Sequence, residues 1–183
     1  MAERRKELVE VISKEALAKD IFSMWIRTDA AKTAVPGQFI SMYTNDGSKL
    51  LPRPISICEI DKENGALRVV YRVTGPSTGT EEFSRMQAGD KLYIIGPLGN
   101  GFPLKEKKAF LIGGGIGIPP MLELAKQLKG EKQIIIGYRD SDTFLDKELE
   151  QNGKVYIATE DGSIGTKGNV CDAIRENALN AEV

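Results

Sequence analysis

The sequence predicts a β + α/β chain, with a six-stranded antiparallel barrel over residues 1–102 and a parallel-sheet α/β unit over residues 103–183. Three observations carry that prediction. Through the first hundred or so positions, short runs of partly alternating polar and apolar residues recur between glycine turns, as in small barrels. Beyond them the apolar runs become continuous, which suits strands buried on both faces. Between those later runs the apolar spacing turns helical, and a triple glycine joins the first run to the first helix.

Residues 7–13 alternate in part, and residues 20–28, with Ile21, Phe22, Met24, Trp25 and Ile26, supply a second strand. Pro36-Gly37 breaks the chain before a third strand at 38–43. Asn45-Asp46-Gly47 is a turn, and a fourth strand runs from Arg53 to about Ile60. Glu63-Asn64-Gly65 is a hairpin signal that returns the chain into 66–73, and 91–95 closes the series. Between the last two strands, residues 75–80 (Gly-Pro-Ser-Thr-Gly-Thr) lead into a helix over 81–86, with Thr78 and Glu81 at capping-box spacing. Residues 96–102 (Gly-Pro-Leu-Gly-Asn-Gly-Phe) read as the exit loop, and the lysine-rich 103–108 as a solvated linker.

In the second half, residues 109–112 form a buried strand, residues 113–120 a glycine loop, and residues 121–128 a helix opened by proline. A second strand spans 132–137, a helix 144–150, a third strand 154–159, a polar glycine loop 160–168, and a last helix 169–177.

Composition narrows the chemistry. The 183 residues are 41% hydrophobic and 28% charged, with a net charge of −1, so no global field attracts nucleic acid or an anionic membrane. No run approaches a membrane-spanning length, and the start of the chain lacks an apolar stretch after its basic residues. Two cysteines, Cys58 and Cys171, point to a reducing, cytoplasmic setting without a disulfide framework. The absence of histidine argues against a hydrolytic triad or a zinc enzyme.

Three stretches could hold phosphate. Pro54 pushes Arg53 towards extended backbone, and alternation then sends Ile55 and Ile57 to one face and Pro54, Ser56 and Cys58 to the other. A guanidinium at the head of such a strand suits phosphate, although the same residues also suit an edge strand with an exposed arginine. The hydroxyl-rich loop before Glu81 can present backbone amides to an anion, or it can simply cap a helix; Glu81 and Glu82 count against an anion there. Gly113, Gly114, Gly115 and Gly117 sit between strand and helix at a spacing unlike G-x-G-x-x-G. Three consecutive glycines are entropically costly, so the ligand reading leads over a bare turn. At the next strand end, Arg139 or Asp140 could meet a ribose or belong to a surface loop.

Taken in order, Arg53-Pro54-Ile55-Ser56, Tyr71-Arg72-Val73, Gly79-Thr80, Gly96-Pro97-Leu98-Gly99, Gly113-Gly114-Gly115-Ile116-Gly117 and Asp161-Gly162-Ser163-Ile164-Gly165 resemble the ferredoxin-reductase-like flavoprotein superfamily. Within it, the Arg-Pro-Ile-Ser-Ile strand and the Gly-Pro-Leu-Gly-Asn-Gly-Phe loop look most like the electron-transfer subunits of bacterial dihydroorotate dehydrogenase B. The resemblance implies an FAD-binding barrel followed by an NAD-binding unit. It implies Arg53, with Pro54, on an FAD phosphate, Ile55 and Ser56 along the isoalloxazine, and Val70, Tyr71 and Arg72 beside the flavin. It also puts Gly79 and Thr80 on the pyrophosphate and residues 113–117, with Asp161 and Ser163, at NAD. Electrons would pass from the FMN of a catalytic partner subunit, through a 2Fe-2S cluster, to FAD and then NAD+, in a heterotetramer of pyrimidine biosynthesis. Hydride transfer between stacked rings needs orientation rather than a general base, which suits a chain without histidine.

The sequence departs from the family in four ways. The loop at 75–80 is longer than the family's turn, so Ser77 and Thr78 compete for the phosphate. The family's four clustered cysteines have no match, because Cys58 and Cys171 are too few and too far apart, and its Cys-Gly-Pro segment is missing. Three parallel strands are fewer than the fold uses. These departures predict a C-terminally truncated chain with an uncovered apolar sheet edge and helix face, and Cys58 as a packing residue. A standalone NAD(P)H–flavin reductase and a non-catalytic nucleotide- or partner-binding remnant are the other readings, and NAD versus NADP is left open.

Overall fold

The computed structural model describes residues 6–47 and 49–183. The basic start of the chain, apart from Lys6, lies outside the described residues. The chain divides into two compact units, Met1–Phe102 and Pro103–Val183.

The first unit is a closed antiparallel barrel of β1 (Lys6–Ala18), β2 (Ile21–Arg27), β3 (Phe39–Tyr43), β4 (Arg53–Asp61), β5 (Ala66–Arg72) and β6 (Lys91–Leu98), in the order β1-β2-β5-β4-β3-β6. Alternation sets its core. Met24 and Ile26 of β2, and Leu67, Val69 and Tyr71 of β5, pack inward. In β4, Ile55 and Ile57 face the core, and then a register shift between Ile57 and Glu59 moves the inward position to Ile60. The shift leaves Glu59 free to pair with Arg68 on the opposite face, where Arg68 Nε also donates to Ser23 Oγ at 2.8 Å. Cys58, beside the shift, is fully buried. Helix α1 (Gly79–Arg85) inserts Phe83 into the core, where it meets the Tyr71 ring edge-on.

Three elements of this unit differ from the sequence reading. β1 runs on to Ala18. A short 3-10 turn, Asp29–Lys32, follows β2 with Ala30 and Ala31 buried. β6 does not stop at Ile95 but continues to Leu98, because Gly96 lets it cross β3 closely: a Cβ there would lie 2.5 Å from Ile40 Cγ2. The exit loop therefore starts at Gly99, and Phe102 N donates to Pro36 O at 2.8 Å.

The second unit is a parallel sheet in the order β10-β9-β8-β7, built from β7 (Ala109–Gly114), β8 (Lys132–Tyr138), β9 (Lys154–Thr159) and β10 (Thr166–Lys167). β10 corrects the reading of 160–168 as a plain loop. Gly165 makes it possible, since its φ is +64° and a Cβ would lie 2.1 Å from Ile157 O. Helix α2 (Pro119–Gln127) has Pro at its first positions, and α4 (Val170–Glu176) carries a full capping box between Asn169 and Asp172. Helix α3 (Asp146–Glu150) is shorter than the 144–150 expected, because Phe144 and Leu145 are buried instead, Leu145 at φ 64°. β7 lies at an edge of the sheet. Its Ile112 is exposed, while Val183 bonds to the start of that edge through Lys108 and Phe110.

Candidate functional site

The first cluster forms at one end of the barrel. Arg53 opens β4, and α1 begins at Gly79, 26 positions later in the chain. A Cβ on Gly79 would lie 3.0 Å from Arg53 Nε, 3.1 Å from Arg53 Cγ and 3.1 Å from Thr44 Cγ2. The arginine stem therefore rests on the helix start, and only a glycine allows contact that close. Leu51 O accepts from Arg53 Nη1 at 2.9 Å, which fixes the guanidinium.

The loop before α1 uses most of its own donors. Thr78 Oγ1 accepts from the Glu81 amide at 3.2 Å and donates to Gly75 O at 2.8 Å. The Glu81 carboxylate reaches past the N-cap and accepts from Ser77 N at 2.6 Å, so the expected capping box is half made. Ser77 and Thr78, the competitors for an anion, are thus engaged. Thr80 Oγ1 lies 3.4 Å from Thr74 N. Among the described residues nothing accepts from the Gly79 or Thr80 amides, which head the helix beside Arg53. The Glu81 carboxylate also pairs with Arg85 at 2.6 Å, and Glu82 with Lys49 at 3.3 Å, so both acids are neutralised beside the helix start.

Alternation divides the remaining barrel candidates. Pro54 and Ser56 lie on the outer face of β4, while Ile55 packs against the core. Val70 and Arg72 alternate with Tyr71 on β5, but Val70 is buried and only Arg72 is exposed, while the Tyr71 ring is inside, stacked on Phe22 at 6.1 Å. The three residues of that stretch therefore do not present one surface. Among the described residues the buried Tyr71 hydroxyl has no hydrogen-bond partner, and burial pushes its phenol far above the ordinary range.

A second cluster occupies the carboxyl ends of the parallel strands. Gly113 is needed by the chain itself, since a Cβ would sit 2.9 Å from Ile118 Cα and 3.0 Å from Gly117 O. Gly115 has φ +50°. Gly114 and Gly117 are different: a Cβ on either would meet nothing within 4 Å. Among the described residues no packing demand explains these two glycines, and they leave open space beside the backbone. Asp161 and Ser163 lie at the same end of the sheet, two strands over, about 10 Å away by strand spacing. Ser163 Oγ and N donate to Asp161 Oδ1 at 2.7 and 2.9 Å, which holds the Asp161 carboxyl below its ordinary value. Arg139 O accepts from Asp161 N at 3.3 Å, so the Arg139-Asp140 and Asp161 loops run side by side.

Thr44 and Leu51 escaped the sequence reading. The pairing of Met42 with Arg53 brings the end of β3 to the start of β4, so a register argument could have found them.

The residues of the barrel cluster fit a bound dinucleotide, because a cation lies beside two helix-start amides that have no acceptor among the described residues. They do not fit an iron–sulfur cluster. Cys58 is buried in the first unit and Cys171 exposed in the second, and among the described residues no group of three or more His, Cys, Asp or Glu is placed to hold a metal. Also among the described residues, no helix is long and apolar enough to cross a membrane.

Comparison with known proteins identifies the family and the fold. The oxidoreductase FAD-binding domain family matches residues 8–102. The electron transfer subunit of dihydroorotate dehydrogenase B (NAD(+)) from Streptococcus mutans is 44% identical over 177 residues, covering 92% of this chain and 68% of that protein. The subunit of the same name from Streptococcus pneumoniae strain R6 is 40% identical over 180 residues, covering 94% and 70%. Among solved structures, an NADH-dependent reduced ferredoxin-NADP oxidoreductase aligns with a TM-score of 0.85 at 29% identity, over 100% of this chain and 67% of that one. A Plasmodium falciparum ferredoxin-NADP+ reductase with 2'P-AMP aligns at 0.78 and 17% identity, over 94% and 80%, a likeness of fold alone.

Proposed function

The chain belongs to the family of dihydroorotate dehydrogenase B electron-transfer subunits, and from that premise we propose that it takes electrons from a dihydroorotate-oxidising partner onto FAD and delivers them to NAD+. The observation that carries the proposal is the contact of Arg53 with Gly79, beside amides that have no partner among the described residues.

FAD supplies the redox chemistry when bound. The chain's own residues bind and orient it. Arg53 meets the diphosphate charge with a planar fork that stays protonated, and the Gly79 and Thr80 amides add two neutral donors. Pro54 and Ser56, on the outer face of β4, support the ring, with Val70 and Arg72 on the neighbouring strand. Ile55 and Tyr71 act from the core side, where their packing stiffens the two strands. In the second unit, Gly113 and Gly115 shape the turn and Gly114 and Gly117 admit the NAD diphosphate, with the Asp161–Ser163 loop beside it. An iron–sulfur cluster has no ligand set among the described residues and has no part in this proposal. The FMN-containing catalytic partner, the heterotetramer and the cytoplasmic setting belong to the same reading.

The test is flavin uptake by the purified chain, followed by anaerobic addition of NADH. We expect a flavin absorption spectrum that NADH bleaches, and at least a tenfold loss of FAD affinity in Arg53→Ala, from the loss of charge-assisted hydrogen bonds. A wild-type chain that binds no FAD refutes the proposal.

A further inference from the structure

We propose that Leu50 and Leu51 form the surface on which the adenine of FAD rests, so that this chain selects FAD over FMN. The inference builds on the assignment of Arg53 to the diphosphate.

Leu50 and Leu51 are 82% and 73% exposed, far more than the other large apolar side chains of the barrel unit. Two adjacent leucines held in water are unfavourable unless something covers them. They are also tethered. Leu51 O holds the Arg53 guanidinium, and the loop before them is tied to α1 through Glu82, which accepts from Asn45 N at 2.6 Å and pairs with Lys49 at 3.3 Å. The leucines are therefore fixed neighbours of the guanidinium.

Direction along the chain assigns their occupant. From Arg53, β4 leads one way to Ser56, where the isoalloxazine is proposed to lie. The other half of a dinucleotide gripped at its diphosphate must leave the other way, and that way lie Leu51 and Leu50. At about 3.3 Å per residue they fall within roughly 7–10 Å of Arg53, the reach of a ribose and its base. The cleft beside this loop is a poor alternative. Asp46, Lys49, Ser77, Glu81 and Arg85 line it, and Pro76 is its one apolar wall. A purine face needs apolar cover, which the leucines provide.

The test compares FAD with FMN, which lacks the adenosine half. Each flavin is titrated into the apoprotein, with binding read by quenching of flavin fluorescence and by calorimetry. Wild type, L50S/L51S and L50M/L51M are measured, with melting of each apoprotein as a folding check. We expect wild type to bind FAD at least tenfold more tightly than FMN. L50S/L51S should lose tenfold or more in FAD affinity, less than twofold in FMN affinity, and nothing in melting temperature, while L50M/L51M keeps the preference. Unchanged FAD affinity in L50S/L51S, or an equal loss for both flavins, overturns the inference while leaving the Arg53 assignment standing. A wild-type chain that binds neither flavin overturns both.

Discussion

Gly79→Ala separates binding from folding more cleanly than removing Arg53 itself. The added Cβ meets Arg53 Nε at 3.0 Å and Arg53 Cγ and Thr44 Cγ2 at 3.1 Å, all of them side-chain atoms. Carbon contacts are comfortable near 3.5–4.0 Å, so the arginine must retreat by about half an ångström. Gly79 lies outside the left-handed region, so alanine fits its backbone, and helix propensity favours alanine by up to about 1 kcal/mol. Crowding and propensity oppose each other, and the net change in apoprotein stability should stay within about 1 kcal/mol. The flavin site has no such compensation. A charge-assisted hydrogen bond contributes about 1.5–3 kcal/mol, and misplacing one weakens FAD binding by about 10- to 100-fold. The assay is urea unfolding of the apoprotein alongside FAD titration. Wild-type FAD affinity in Gly79→Ala would refute the reasoning, and so would a stability loss beyond about 2 kcal/mol, because the contact would then be structural.

Three further outcomes follow from the same geometry. Tyr71→Phe removes a buried hydroxyl that has no partner among the described residues, so apoprotein stability should hold or rise by about 1 kcal/mol; a clear loss in urea unfolding would mean the hydroxyl is satisfied. Gly113→Ala drives a Cβ into the backbone of Ile118 and should cost about 1–3 kcal/mol, whereas Gly114→Ala and Gly117→Ala should leave melting unchanged and weaken NADH binding about fivefold or more; identical melting of all three would sink the distinction. The Asp161 carboxyl titrates below its unfolded value because Ser163 donates to it, so its stabilising effect is present above that unfolded value and fades as pH falls through the folded one. Carbon-detected NMR should show this low titration, moving upward in Ser163→Ala, and an unshifted Asp161 in that variant would contradict the assignment.

Both folds were readable from periodicity, since every barrel strand and three parallel strands overlap a predicted run, though β1, β6 and β7 extend well past theirs. The misses have a common cause: tertiary contact decided against local pattern. Gly96-Pro97 looks like the end of a strand, yet Gly96 is there so that β6 can pass over Ile40. Phe144 and Leu145 look like a first helical turn, but Tyr138 donates to Phe144 O at 2.6 Å and Leu145 turns left-handed into the core. β10 has two residues, too short for any alternation to register. The shift at Ile57 could not be inferred from β4 alone, because it shows only in the pairing with β5.

The proposed site was readable to the extent that glycine marks close approach. Arg53 and Gly79 each carried a signal, and their contact joins two segments whose separation in sequence says nothing about distance. A run such as Val70-Tyr71-Arg72 misleads for the opposite reason. Three consecutive strand residues cannot share a face, so a contiguous strand motif supplies a binding surface with alternate residues at most and the core with the rest. Loops escape that restriction. Thr44, Leu51 and Gly79 gather around one guanidinium because β3, β4 and α1 all begin or end there. The proposed flavin site therefore lies at the barrel's mouth, where the period-two rule stops, and substitutions there should alter flavin affinity well before they alter the fold.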